Sequence, residues 1–397
     1  MRLTNGVTTE PDFTADADAV VEVGPVAHGG HCVARLDGRV VFVRHALPGE
    51  RVRIVVTDTG HDSFWRADAV EVVEASPDRV EPRCPSAGPG RCGGCDFQHV
   101  SLDGQRRLKK AVLAEQLHRM ADLDWDGEME PVDTAGTEDG LHWRTRMRYQ
   151  VGDDGRAGLR RHRSHEIEAL PTGGCPIAHV DAPSVHGQTW TPGTELLAVA
   201  AEPPTLLIDG QPERGTSEVT EHAVGRDWRL AADGFWQGHP GAAAALVEAV
   251  MDSLQPRAGE RAFDLYCGVG LFAGALVDAG VRTWGIEWSR PAIVHARRNV
   301  PGARFTAGKV ERAVRTLPKR TDLVVLDPPR TGAGKDVIDA ILSRRPRAIA
   351  YVACDPAALA RDLRRATTRG YRVRSVRAFD LFPMTHHLEA VAILEPS

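Results

Sequence analysis

The chain has 397 residues, of which 42% are apolar and 26% charged, and a formal net charge of −5. At about 100–200 residues per domain this implies two or three domains. The mild negative charge excludes a protein that coats nucleic acid indiscriminately, because that needs broad positive potential. No stretch approaches the ~18 consecutive apolar residues of a membrane span, so no membrane association is expected. The start of the chain lacks a basic segment followed by an apolar one, which points to the cytoplasm.

Residues 1 to 15 are acidic and without periodicity, and read as a loose tail. From Val20 to Val73, short apolar runs (VVEVG, CVARL, VVFVRH, VRIVVTD, ADAVEVVE) are split by Asp37-Gly38 and Pro48-Gly49. That pattern predicts a small antiparallel, OB-like β-barrel over residues 15–76, a shape that often presents a face to RNA. Residues 77–225 are irregular and loop-rich, an α+β segment with a helix expected over Leu102–Met120. Here Arg144, Arg146, Arg148, Arg156, Arg160, Arg161 and Arg163 face only Asp153 and Asp154 within their own window. The alternation in WRTRMRYQV would put the first three arginines on one face of a strand, a candidate RNA contact. Over residues 226–397, strand-like runs alternate with helix-like ones, which predicts an α/β, Rossmann-like domain with a mostly parallel sheet.

The segment AFDLYCGVG ends a strand in a turn at Gly268 and Gly270, where a backbone without side chains can approach a ligand. The next strand, TWGIE, ends in Glu287, an acid placed to bind ribose hydroxyls. This pair suggests an adenosine cofactor but fits a dinucleotide enzyme nearly as well. LVVLDPPRTGAG decides between them: two prolines stop the strand and hold Asp327 and Arg330 at the ligand edge, which hydride transfer does not require. In AIAYVACDP, Cys354 stands at a strand-to-helix junction, where helix N–H groups are expected to lower a thiol pKa. Such a thiolate could add to C6 of uracil and make C5 nucleophilic toward a methyl donor. A base must then remove the C5 proton, and Glu389 in FPMTHHLEAVAIL, preceded by His386 and His387, is the candidate.

Seven cysteines in a reducing compartment are not expected to pair as disulfides. Cys84, Cys92 and Cys95, with Cys175 downstream, supply four thiolates, enough for zinc or a four-iron cluster. A single C-x2-C pair and otherwise uneven spacing favour iron–sulfur.

Together these segments resemble the RNA uracil-5-methyltransferase family, over nearly the whole chain. The barrel resembles the family's TRAM domain, CPSAGPGRCGGCDFQH its iron–sulfur region, and DLYCGVGLF, LDPPRTG and ACDPAALARDL its cofactor and catalytic motifs. The resemblance implies that Cys84, Cys92, Cys95 and Cys175 hold a 4Fe-4S cluster. It also implies that Gln237 in DGFWQGHP, Tyr266, Glu287 and Asp327 bind S-adenosyl-L-methionine, with Cys354 as nucleophile and Glu389 as base. The expected substrate is a uridine in structured RNA, 23S ribosomal RNA ahead of tRNA, acted on by a monomer. Asp355 and His239 stand where Asn is usual, and Lys309 replaces a polar cofactor contact. The competing readings are a methyltransferase for DNA or a small molecule, and a non-catalytic RNA-binding iron–sulfur protein.

Overall fold

A computed structural model describes residues 19–397; the segment read as a loose tail lies outside the described residues. The chain divides into two compact units, one ending at Arg79 and the other spanning Val80–Ser397.

The first unit is a closed barrel of β1 (Ala19–Val26), β2 (Cys32–Leu36), β3 (Arg39–Arg44), β4 (Arg51–Asp58) and β5 (Phe64–Glu74), in the order β1-β2-β3-β5-β4. Period-two patterning buries Val21 and Val23 while Glu22 faces solvent. The pairing is antiparallel except between β3 and β5, which run parallel. Glu50, fully buried, accepts from Arg79 Nε at 2.6 Å and Nη2 at 2.7 Å, and from the Leu47 and Ser76 amides. This bidentate pair satisfies a carboxylate that would otherwise be costly to bury.

The second unit begins with the cysteine segment and α1 (Leu102–Gln116), which continues as a π-helical turn through Ala121. After β6 (Met129–Pro131), the loop-rich region holds more sheet than its sequence suggests. Six strands, β7 (Arg146–Val151), β8 (Ala157–Arg160), β9 (Ile167–Ala169), β10 (Glu195–Val199), β11 (Thr205–Ile208) and β12 (Gln211–Arg214), form one sheet in the order β12-β11-β10-β7-β8-β9. A hairpin, β13 (Glu218–Ala223) and β14 (Arg226–Ala231), follows.

The expected α/β alternation then runs α2 (Ala242–Leu254), β15 (Arg261–Leu265), α3 (Leu271–Asp278), β16 (Arg282–Glu287), α4 (Arg290–Asn299), β17 (Arg304–Ala307), α5 (Val310–Ala313), β18 (Leu323–Leu326), α6 (Gly334–Leu342), β19 (Ala348–Ala353) and α7 (Pro356–Thr367). It closes with β20 (Tyr371–Asp380) and β21 (Glu389–Pro396). The eight-stranded order is β17-β16-β15-β18-β19-β21-β20-β6. Strands β18 and β19 are buried throughout, as sheets covered on both faces require. One apolar cluster packs α2, α3 and α4 on one face, and a second packs α1, α6 and α7 on the other. The order reverses beside β15, and ligands of such sheets bind outside the strand carboxyl ends at that reversal.

Candidate active site

Along that edge the strands deliver the expected residues in a row. After β15, Tyr266 adopts φ 62°, and Gly268 and Gly270 turn the chain at φ 51° and 97° before α3. A Cβ at Gly270 would meet Val300 at 3.2 Å in a conformation that side chains rarely adopt. Glu287, closing β16, accepts from the Gly268 amide at 3.2 Å and from the Ser289 amide at 2.7 Å. Glycine turn and acid are thus one unit. The reading of the sequence missed Asp264, which is 1% exposed and accepts from the Ala273 amide at 2.8 Å. Burial pushes its carboxyl up to about 8, and its other oxygen, Oδ1, is buried without a hydrogen-bond partner. An unpartnered oxygen beside the glycine turn fits a cofactor bearing donors. An acid inside an otherwise apolar strand was the signal available in the sequence. Gln237 lies buried on the loop between β14 and α2, where the Thr145 amide and hydroxyl both donate to the Gly238 carbonyl.

Beside β15, β18 ends before Asp327, whose amide donates to the Leu265 carbonyl at 3.3 Å. Strands β19 and β21 pair antiparallel through Ala353 opposite Ala390, so Cys354 follows the last paired residue of β19 while Glu389 opens β21, and the Glu389 charge reaches the Cys354 thiol. The candidate nucleophile and base are therefore neighbours. Burial pushes Asp327 up to about 7, and burial plus the Asp327 charge push Glu389 well above the usual carboxylate range, with Arg330 opposing.

The expected depression of the Cys354 thiol is not what the structure shows. Asp355 caps α7 by accepting from the Ala358 amide at 2.7 Å, so a carboxylate fills the helix N-terminus that was expected to serve the sulfur. Burial first, then Glu389 and Asp327, push the thiol up to about 12, while Arg330 pulls it down. The second departure, His239, is 1% exposed, stacks on Trp143 with ring centroids 6.2 Å apart, and is held neutral by burial, its pKa lowered to about 4. Lys309 is the residue before α5.

The four cysteines of the separate group also come together. All are free thiols, and Cys84, Cys92 and Cys175 each raise the Cys95 pKa, which burial raises most. Burial, with Cys92 and Cys84, pushes Cys175 up to about 11. The Gly94 amide donates to Cys92 Sγ at 3.4 Å and Gln98 Nε2 to Cys95 Sγ at 3.7 Å. Among the described residues no three His, Cys, Asp or Glu side chains are arranged to hold one metal ion.

Three arginines of the window, by contrast, pair with carboxylates from outside it. Arg146 donates to Glu221 Oε1 at 3.0 Å and to the Ala232 and Gly234 carbonyls, Arg148 pairs with Glu195, and Arg161 pairs with Glu166 and Glu168. Only Arg146 and Arg148 of the alternating three lie on β7. Part of the local excess of positive charge seen along the chain is therefore already paired within the fold.

The tRNA (uracil-5-)-methyltransferase family matches residues 317–397, which carry Asp327, Cys354 and Glu389, and the TRAM domain matches residues 20–68. An RNA methyltransferase of Streptomyces avermitilis is 49% identical, covering 95% of this chain and 98% of its own. One of Bifidobacterium longum is 35% identical, covering 98% and 99%. The chain belongs to the RNA uracil-5-methyltransferase family. The methyltransferase shares its fold with the tRNA (uracil-54, C5)-methyltransferase of Pyrococcus abyssi, solved in complex with S-adenosyl-L-homocysteine, at a TM-score of 0.70 and 22% identity over 95% of this chain and 99% of that one. Its barrel is a TRAM domain, and its eight-stranded sheet is the S-adenosylmethionine-dependent methyltransferase fold. No helix among the described residues is long and apolar enough to cross a membrane.

Proposed function

We propose that the enzyme methylates C5 of one uridine in structured RNA through a covalent adduct at Cys354. The observation that supports this reading is that Cys354, just past the end of β19, and Glu389, at the start of the paired strand β21, lie together at the sheet's carboxyl edge, where the Glu389 charge reaches the thiol. The Cys354 thiol gives its proton to solvent, the thiolate sulfur forms a bond to C6, and the C5=C6 electrons move toward the C4 carbonyl oxygen. S-Adenosylmethionine supplies an electrophilic methyl group to C5. Glu389 then takes the C5 proton, the S–C6 bond breaks, and its electron pair returns to sulfur. Glu287, Tyr266, Gln237 and Asp327 hold the cofactor in this reading. The Asp264 oxygen without a partner and the open glycine turn support a ligand at this place.

Cys84, Cys92, Cys95 and Cys175 would hold a 4Fe-4S cluster. Four thiolates on a cluster bind four different irons, a wider arrangement than ligands around one ion, and N–H donors to two of the sulfurs suit such a group. The joint presence of TRAM barrel and cysteine segment supports 23S ribosomal RNA as substrate, with tRNA as the alternative. Nucleoside mass spectrometry of both RNAs, from cells lacking the gene and rescued with wild type or Cys354→Ala, tests the whole reading. Loss of 5-methyluridine from one RNA, restored only by wild type, is expected. Unchanged 5-methyluridine in every RNA would reject it.

A further inference from the structure

The nucleophile is surrounded by acids. Cys354 faces Glu389 from β21, Asp327 from the end of β18 and Asp355 at the start of α7, and all three raise its pKa. The cation acting against them is Arg330, which also opposes the rise at Glu389. Arg330 is exposed on the loop after the two prolines, so its charge would count for little unless its guanidinium were aimed.

A hydrogen bond holds it in place. Arg330 Nη2 lies 3.1 Å from His387 Nε2. A guanidinium can only donate, so His387 Nε2 must be the acceptor and its proton must sit on Nδ1. Burial, then His386 and Arg330, hold His387 neutral, its pKa lowered to about 3. The imidazole is itself fixed: its ring lies 4.0 Å from that of His386, and its amide donates to Thr385 Oγ1 at 3.3 Å. His386 is held in turn by Asp96 Oδ2 at 2.6 Å from its Nδ1.

We propose that Arg330, aimed by His387, is the counter-charge of the Cys354 sulfur when it attacks the uracil ring. The inference rests on the covalent reading above and adds two residues to it. Arg330 neither gains nor loses a proton. It faces the charge on sulfur before the S–C6 bond forms and again after that bond breaks. His387 is a positioning residue, acting only through Arg330.

The test uses the full-length enzyme without S-adenosylmethionine, so that no sulfonium contributes charge. The pH profile of Cys354 alkylation by iodoacetamide is read by peptide mass spectrometry for wild type, Arg330→Met, Arg330→Lys, His387→Leu and His387→Gln. The rate of adduct formation with 5-fluorouridine RNA and the RNA affinity are measured on the same proteins. Arg330→Met is expected to move the alkylation profile up by about one pH unit and to slow adduct formation about tenfold at neutral pH. Arg330→Lys should recover most of that loss. His387→Leu should fall between Arg330→Met and wild type, and His387→Gln, which keeps an acceptor, should lie near wild type. An unshifted profile in Arg330→Met overturns the proposal, and loss of RNA affinity alone would assign Arg330 to the RNA backbone instead. A wild-type enzyme that forms no adduct, or a Cys354→Ala enzyme that does, overturns the nucleophile assignment and this proposal with it.

Discussion

Glu389 is 5% exposed, and burial and the Asp327 charge both raise its pKa well above the usual carboxylate range. As pH rises through its raised pKa the carboxylate fraction grows, and the rate of C5 proton removal grows with it. Cys354, pushed up to about 12, moves in the same direction, so single-turnover methylation should rise across pH values where an exposed glutamate is already ionised. Glu389→Gln keeps the side-chain shape and removes the base. It is expected to leave the methylated RNA covalently attached, with release slowed by about 10²–10⁴-fold. Denaturing gels and intact mass of the adduct check this, and free product formed at the wild-type rate would place the base elsewhere. Cys354 and Glu389 can be proposed from sequence because each stands at the end of an apolar strand beside a distinctive motif. The Cys354 environment was not legible there, because two of the acids that raise its pKa, Asp327 and Glu389, arrive on other strands. Nor was the role of His387, whose tautomer is set by a guanidinium 57 residues away in sequence.

The turn that leads into β21 is a built element rather than a loose connection. Lys109, fully buried on α1, donates to Asp380 Oδ1 at 2.5 Å and to the Phe382 carbonyl at 2.9 Å. The Met384 amide donates to Gln105 Oε1 at 2.7 Å, and the Phe97 amide to the Met384 carbonyl at 2.9 Å. Removing one partner of a buried ion pair leaves the other uncompensated, so Lys109→Met should cost about 3–5 kcal/mol. The double variant Lys109→Met/Asp380→Asn should cost less, because no bare charge remains. Denaturant titration of both proteins checks this, and a double variant no more stable than the single one would deny the pair its electrostatic role. The sequence places the start of α1 at Leu102, because its apolar positions are local, and the structure adds the Ser101 side chain that accepts from the Gly104 amide. The sequence does not reveal that Lys109 turns inward, because a lysine in a helix normally reads as solvated and its partner lies 271 residues on. Strand β20 escapes for a related reason: the arginines in YRVRSVRAFD mask a strand whose burial is concentrated at Ala378–Asp380.

At the scale of the molecule, the barrel and the alternating sheet follow from patterns of period two and from α/β alternation, both of which are local. The sheet of β7–β12 is built from short strands scattered among Pro and Gly breaks, and their pairing could not be read from any one window. The cysteine group is assembled in the same long-range way: Cys95 and Cys175 pack with Leu141, Trp143, Ile177, Met384 and Phe382, so the residues beside the proposed cluster include the turn before the base. Thiols pushed up by burial bind metal only after losing protons, and the binding free energy then becomes folding free energy for whatever packs against them. Anaerobically purified enzyme should therefore contain about four iron and four sulfide per chain. Cys95→Ser should lose most of that iron, and its hydrogen exchange should quicken at residues 382–387 before it changes in β15 and β16. Because the glycine turn and Glu287 belong to that distant end of the sheet, S-adenosylmethionine affinity should stay within about twofold in the same variant. Iron-free protein from anaerobic cells, with all four cysteines intact and protection at 382–387 unchanged, would remove the cluster from the account. Zinc in its place would keep the structural coupling and change only the metal.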